Sequence, residues 1–121
     1  MMNLLGSHDV ARLLTLLGEA PFYDGMAAIH QAKYRLDSDH FNLALARLRI
    51  AVLWQMTYPG VPSVYYGDEI GMQGFKDPFN RAPYDWEHGD TYIRASFQKM
   101  IAMRNAHMAL QTGELLTLYA E

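Results

Sequence analysis

The chain has 121 residues, a formal net charge of −3 and no cysteine, and 50% of its residues are apolar. That length supports one ordinary domain with a usable core, but a complete (β/α)8 barrel needs about 250 residues. The missing cysteines exclude disulfides, thiolate nucleophiles and Cys-ligated zinc, and the mild acidity argues against nucleic acid or an anionic membrane as main partner.

The chain opens without a basic segment ahead of its short apolar run, so it does not read as a signal peptide. Its longest apolar stretch, between Leu43 and Met56, is interrupted by Arg47 and Arg49 and does not read as a membrane span. Both observations point to a cytoplasmic location.

Met2 to Leu5 is a short apolar run ending at Gly6-Ser7 and reads as a buried strand. Asp9 is placed to cap a following turn of helix, with Val10, Leu13, Leu14 and Leu17 on one face and Gly18 as its stop. Glu19 to Asp24 is a loop, and Met26 to Leu36 a modest helix. The clearest element runs from Ser38 to Thr57. Asp37, Ser38 and Asp39 are capping candidates, and Phe41, Leu45, Leu48, Val52 and Met56 recur on one helical face. Pro59-Gly60 ends it.

Val61 to Tyr66 lacks polar alternation and reads as a strand buried on both faces of a parallel sheet, with Pro62 at its beginning or edge. A long loop rich in Gly, Pro, Asp, Asn and aromatics spans Asp68 to Asp90, and loops of this length are usually functional. Thr91 to His107 forms a helix with Ile93, Phe97, Met100, Ile101 and Met108 facing inward. Gln111 to Glu114 reads as a turn and Leu115 to Tyr119 as a strand. Strands alternating with helices predict an α/β fold with βαβ units and a parallel sheet.

Three segments carry chemistry. His8-Asp9 follows the first strand, at the strand end where parallel sheets build active sites. A carboxylate and an imidazole there hold a polar substrate, unless Asp9 merely caps the next helix. Asp68-Glu69 follows the second strand. Adjacent residues on an extended chain diverge, so this pair reads as loop-organising groups that accept backbone or Arg hydrogen bonds. Asp77 to Trp86 mixes Arg81, carboxylates and aromatics, as sugar-binding loops do. The same composition suits a loop held by its own Arg–Asp pairs. The histidines show no metal-ligand spacing, and no phosphate-binding glycine loop or nucleophile elbow occurs. No metal and no cofactor are expected.

Taken together these segments resemble the α-amylase family of glycoside hydrolases, most closely its neopullulanase and cyclomaltodextrinase branch. Asn3-Leu4-Leu5-Gly6-Ser7-His8-Asp9-Val10-Ala11-Arg12-Leu13-Leu14-Thr15 looks like the seventh barrel strand and its His-Asp motif. Pro59-Gly60-Val61-Pro62-Ser63-Val64-Tyr65-Tyr66-Gly67-Asp68-Glu69-Ile70-Gly71-Met72 looks like the eighth strand, and Asp77-Pro78, Arg81, Pro83 and Trp86 match a loop that often follows it. Arg104 to Glu114 is similar to the end of the last barrel helix.

The resemblance implies the terminal β/α units of a TIM barrel, helix-rich as an isolated fragment. Residues 1–110 would be barrel, and 111–121 the start of a truncated C-terminal β-domain. It implies a retaining α-glucan hydrolase of neopullulanase, cyclomaltodextrinase or α-amylase type. Asp9 would be the transition-state stabiliser, His8 a sugar-hydroxyl ligand, and Asp77 and Arg81 contacts to the neighbouring sugar. The family's nucleophile and acid lie on the fourth and fifth strands, which no segment here resembles. The chain alone is therefore expected to be inactive, with an α-glucan or maltooligosaccharide as substrate of the parent enzyme.

Two other functions fit the sequence: a non-catalytic carbohydrate-binding or oligomerisation module, and an unrelated small enzyme built on His8 and Asp9. Unpaired strand edges predict a homo-oligomer.

Overall fold

The computed structural model describes residues 1–21 and 23–118. Its sheet has two strands, β1 (Met2–Leu4) and β2 (Val61–Ser63), which run parallel with Met2 opposite Val61 and Leu4 opposite Ser63. A parallel pair needs a long crossover, and helices α1 (Leu13–Leu17), α2 (Ala28–Lys33) and α3 (Ser38–Thr57) supply it. The expected βαβ unit is thus present. Gln55 of α3 is buried and stitches the layers together: its amide donates to Asn3 O and to Ser63 O, each at 2.9 Å.

The second strand is shorter than expected and is not buried on both faces: Val61 is 66% exposed. Met2 and Leu4 of β1 are exposed as well, and only Asn3 turns inward. The reason is the small sheet. Each strand has one neighbour among the described residues, so the outer edges and one face stay uncovered.

Helix α3 has the bounds the sequence predicts. Asp37 caps it by accepting from the His40 N–H at 2.9 Å, and this bond holds the Asp37 carboxyl below its ordinary range. Leu48, Val52 and Met56 are buried, and Phe41 and Leu45 pack at the margin of the same core. Leu13 and Leu14 of α1 close it from one side. Helix α4 (Thr91–Ala106) closes it from the other with Ile93 and Phe97. Asp90 caps α4, accepting from the Tyr92 and Ile93 N–H groups.

Arg104 of α4 is buried and donates to Met56 O at 2.7 Å and Gly60 O at 2.6 Å. Met56 O is in the last turn of α3, where no intrahelical donor remains, and Gly60 O is in the turn between α3 and β2, so one guanidinium ties the helix end to the strand entry.

Other expectations are corrected. Asp9 does not cap α1: the helix starts after Arg12, with no side-chain cap. The chain entering it is held instead by the Arg12 N–H, which donates to Gly74 O at 2.9 Å. Val10 accordingly faces outward, while Gly18 ends the helix as predicted, donating to Leu14 O. Helix α2 is shorter than Met26 to Leu36 and buries no residue, so no packing extends it. In α4, Ile101 is exposed, off the Ile93–Phe97–Met100 stripe that meets the core. Met108 is exposed too, because the helix breaks at His107.

A short helix α5 (Met108–Thr112) replaces the start of the expected turn, and residues 113–118 form no strand. Tyr119, the last residue of the expected strand, lies outside the described residues. No helix among the described residues is long and apolar enough to cross a membrane.

Candidate functional site

The site is built at the C-terminal end of β1. Gly6 follows the strand and lies against the Asp68 carboxylate so closely that a Cβ there would overlap Oδ2. Ser7 Oγ accepts from the Asp9 N–H at 3.1 Å, which shapes a tight turn. The turn projects His8 and Asp9 outward, with Nε2 of His8 3.2 Å from Oδ1 of Asp9 and their side chains 60% and 74% exposed. Both groups are open to a ligand.

The long loop comes back over this turn. It contains single 3-10 turns at Asp68–Ile70 and Phe79–Arg81. Asn80 is fully buried, and its side-chain amide donates to His8 O at 2.9 Å and to Val10 O at 2.8 Å. Arg81 reaches the same His8 carbonyl at 3.5 Å and pairs with Asp77 at 3.0 Å. All four residues singled out in the sequence, His8, Asp9, Asp77 and Arg81, therefore lie on two segments bonded to one another. The loop forms its own Asp77–Arg81 pair, and Trp86 beside Tyr84 is 86% exposed.

Beneath the turn sits a buried ion pair. Arg12 NH1 donates to Tyr66 O and faces Oδ1 of Asp68 at 3.4 Å, while its guanidinium lies 4.5 Å from the centroids of both Tyr65 and Tyr66. Nε and NH2 of Arg12 find no partner among the described residues. Burial pushes the Asp68 carboxyl up to about 6, and the single long contact with Arg12 offsets only part of that. Glu69 accepts from the Gly67 N–H at 2.8 Å. It also takes a hydrogen bond from the Tyr84 hydroxyl, which raises that phenol. Asp68 and Glu69 thus organise the loop, as their adjacency predicts.

Sequence reasoning missed Arg12 and Asn80. For Arg12 the available signal was a lone charge inside the run Ala11 to Leu14; for Asn80 there was none beyond its place in the loop. Among the described residues no group of three His, Asp or Glu side chains is placed to hold a metal. A groove of about 290 Å³ lies between α3 and α4, but its apolar lining includes neither His8 nor Asp9.

The family described as "Alpha amylase, catalytic domain" matches residues 1–111. An amylopullulanase of Thermoanaerobacter thermohydrosulfuricus is 44% identical over 119 residues, 98% of this chain and 8% of that protein. A cyclomaltodextrinase of a Bacillus species is 38% identical over 123 aligned residues, covering 100% of this chain and 18% of the relative. Among solved structures, the Nostoc punctiforme debranching enzyme superimposes with a TM-score of 0.69 at 31% identity, over 99% of this chain and 20% of its own. The chain thus spans less than a tenth of the first relative and less than a fifth of the second. A family match over 111 of the 121 residues, with a solved homologue superimposing over nearly all of them, places the chain in the α-amylase catalytic-domain family.

Proposed function

We propose that these residues are part of the catalytic barrel of a retaining α-glucan hydrolase, forming its seventh and eighth β/α units. Residues 1–110 belong to the barrel and 111–121 lead into a C-terminal β-domain. Asp9 stabilises the positive charge that develops at the anomeric carbon, and His8 holds hydroxyls of the same sugar. Asp77 and Arg81 grip the neighbouring sugar.

The observation that carries this reading is the bonding of the Asp77–Arg81 loop to the His8–Asp9 turn. Two polar pairs with different chemistry, their side chains 48–74% exposed, then lie on bonded segments at the end of a parallel strand. The nucleophile and acid that the mechanism also requires have no counterpart in this chain, so by itself it does not hydrolyse glucans.

Two measurements test this. The purified chain should release no glucose or maltose from cyclodextrin or pullulan; release at an enzymatic rate would refute the assignment. In a chimera, residues 1–121 replace the matching segment of the Bacillus cyclomaltodextrinase. Asp9→Asn should then lower kcat about 10²–10³-fold, the usual cost of removing one group aimed at developing charge. Unchanged kcat would mean that Asp9 has another role. The exposed Trp86 favours a second reading, sugar binding without catalysis. Calorimetry of the chain with maltose decides it, and no heat at millimolar ligand removes that alternative.

The exposed Met2, Leu4 and Val61 beside unpaired strand edges support self-association, which we assign to this surface. Light scattering should report a dimer or larger species; a monodisperse monomer contradicts it.

A further inference from the structure

The Asp9 carboxylate is far more exposed than the backbone that carries it is free. Its one polar partner among the described residues is His8, itself on the surface. Nothing at the level of the side chain therefore fixes where the carboxylate sits. The backbone does. Ser7 Oγ takes the Asp9 N–H and Arg81 touches His8 O at 3.5 Å, but the one group that bonds this backbone on both sides of Asp9 is the side-chain amide of Asn80. From the assignment of Asp9 above and from this geometry, we infer that Asn80 is the positioning residue for Asp9.

The amide donates both of its protons, one to the carbonyl before Asp9 and one to the carbonyl after it, at 2.9 and 2.8 Å. It thereby fixes the His8–Asp9 and Val10–Ala11 peptide planes, and the Asp9–Val10 peptide is held between them. Asn80 is itself held from three directions. The Tyr65 hydroxyl donates to its carbonyl at 3.5 Å. The Arg81 N–H closes the 3-10 turn onto Pro78 O at 3.1 Å. Phe79 packs so tightly on Gly74 that a Cβ at position 74 would overlap the Phe79 carbonyl. Gly74 in turn bonds α1 from behind, accepting from the Arg12 N–H and donating to Thr15 Oγ1 at 2.9 Å. The His8–Val10 turn is thus clamped in front by Asn80 and anchored behind through Gly74.

The residue type follows from the task. Two donors on one planar group at this reach require asparagine. Aspartate has the shape without the donors, serine has a single donor, and glutamine is one methylene longer. The Oδ1 of Asn80 is buried with no partner among the described residues, so the bonds this side chain makes there run through its nitrogen. The same loop carries Arg81 and Asp77, so the clamp also fixes the distance between the two sugar-contacting pairs.

The test is backbone relaxation by NMR on the 121-residue chain, comparing the wild type with Asn80→Asp and Asn80→Ala. Order parameters at residues 8–10 should fall from rigid values of about 0.85 to below about 0.6 in both variants, while Val52 and Gln55 of α3 stay rigid. A space-filling role predicts a different pattern, because Asn80→Asp keeps the volume and removes only the donors. Residues 8–10 remaining rigid in Asn80→Asp would therefore overturn the inference. So would loss of order throughout α3 and α4 in both variants, which would make Asn80 a general folding residue. The readout needs no hydrolysis, so its failure is separate from failure of the Asp9 assignment, which the chimera tests.

Discussion

Arg12→Met should destabilise the chain by about 3–5 kcal/mol, the cost of leaving one member of a buried ion pair without its partner. Arg12 is 1% exposed and Asp68 4%, so water does not reach either group to compensate. The substitution keeps most of the aliphatic volume and removes the charge, the bond to Tyr66 O and the contacts with both tyrosine rings. Domains of this size are typically stable by about 5–15 kcal/mol, so the loss should be plain in a urea titration followed by circular dichroism. The double variant Arg12→Met with Asp68→Asn should recover a large part of it, because no uncompensated carboxylate remains. A loss below about 1 kcal/mol in the single variant would show that the guanidinium is not electrostatically tied to Asp68.

The pH dependence of stability should carry the opposite sign to that of most carboxylates. Asp68 titrates near 6 in the folded chain against an ordinary 3.8, so between those values the folded state binds more protons than the unfolded state. Its contribution is fully present below the unfolded value and is lost as pH rises through the folded one. Two units correspond to on the order of 3 kcal/mol at 1.36 kcal/mol per unit. Asp37 and Asp85 are shifted down by hydrogen bonds from backbone N–H groups, so their contribution is present above the ordinary carboxylate range and lost as pH falls. Both are exposed to solvent and act weakly. The comparison that isolates Asp68 is wild type against Asp68→Asn, with urea midpoints measured from pH 4 to pH 7. The wild type should lose stability relative to the variant as pH rises across that range. Parallel curves would contradict the raised value.

How much of this could be read from the sequence follows from which forces are local. The approximate bounds of helix α3 were legible because Asp37, Ser38 and Asp39 offer caps at its start and the Phe41-to-Met56 repeat marks its face; which of the three is the cap was not. The parallel pairing of β1 and β2 followed from the helices between them. Burial of β2 did not, because it depends on neighbouring strands and not on the apolarity of Val61 and Val64. The Asp9 cap failed for a related reason: Arg12 bonds to Gly74, 62 positions away, and that contact sets where α1 begins. At the candidate site the exposed residues His8, Asp9, Asp77 and Arg81 stood out by type. The buried ones that hold them, Arg12 and Asn80, did not, since a lone arginine or asparagine reveals its partner only once the chain has folded.

The contact between Gly6 and the Asp68 carboxylate has a genetic consequence. Any larger residue at position 6 occupies the space of Oδ2, so the Asp68 carboxylate, itself buried against Arg12, must shift to admit it. Position 6 should therefore accept a side chain only alongside a shorter residue at position 68. In a library randomised at both codons, surviving clones would carry glycine at one site or a matched exchange at both. A second-site suppressor of Gly6→Ala should map 62 codons downstream, at position 68.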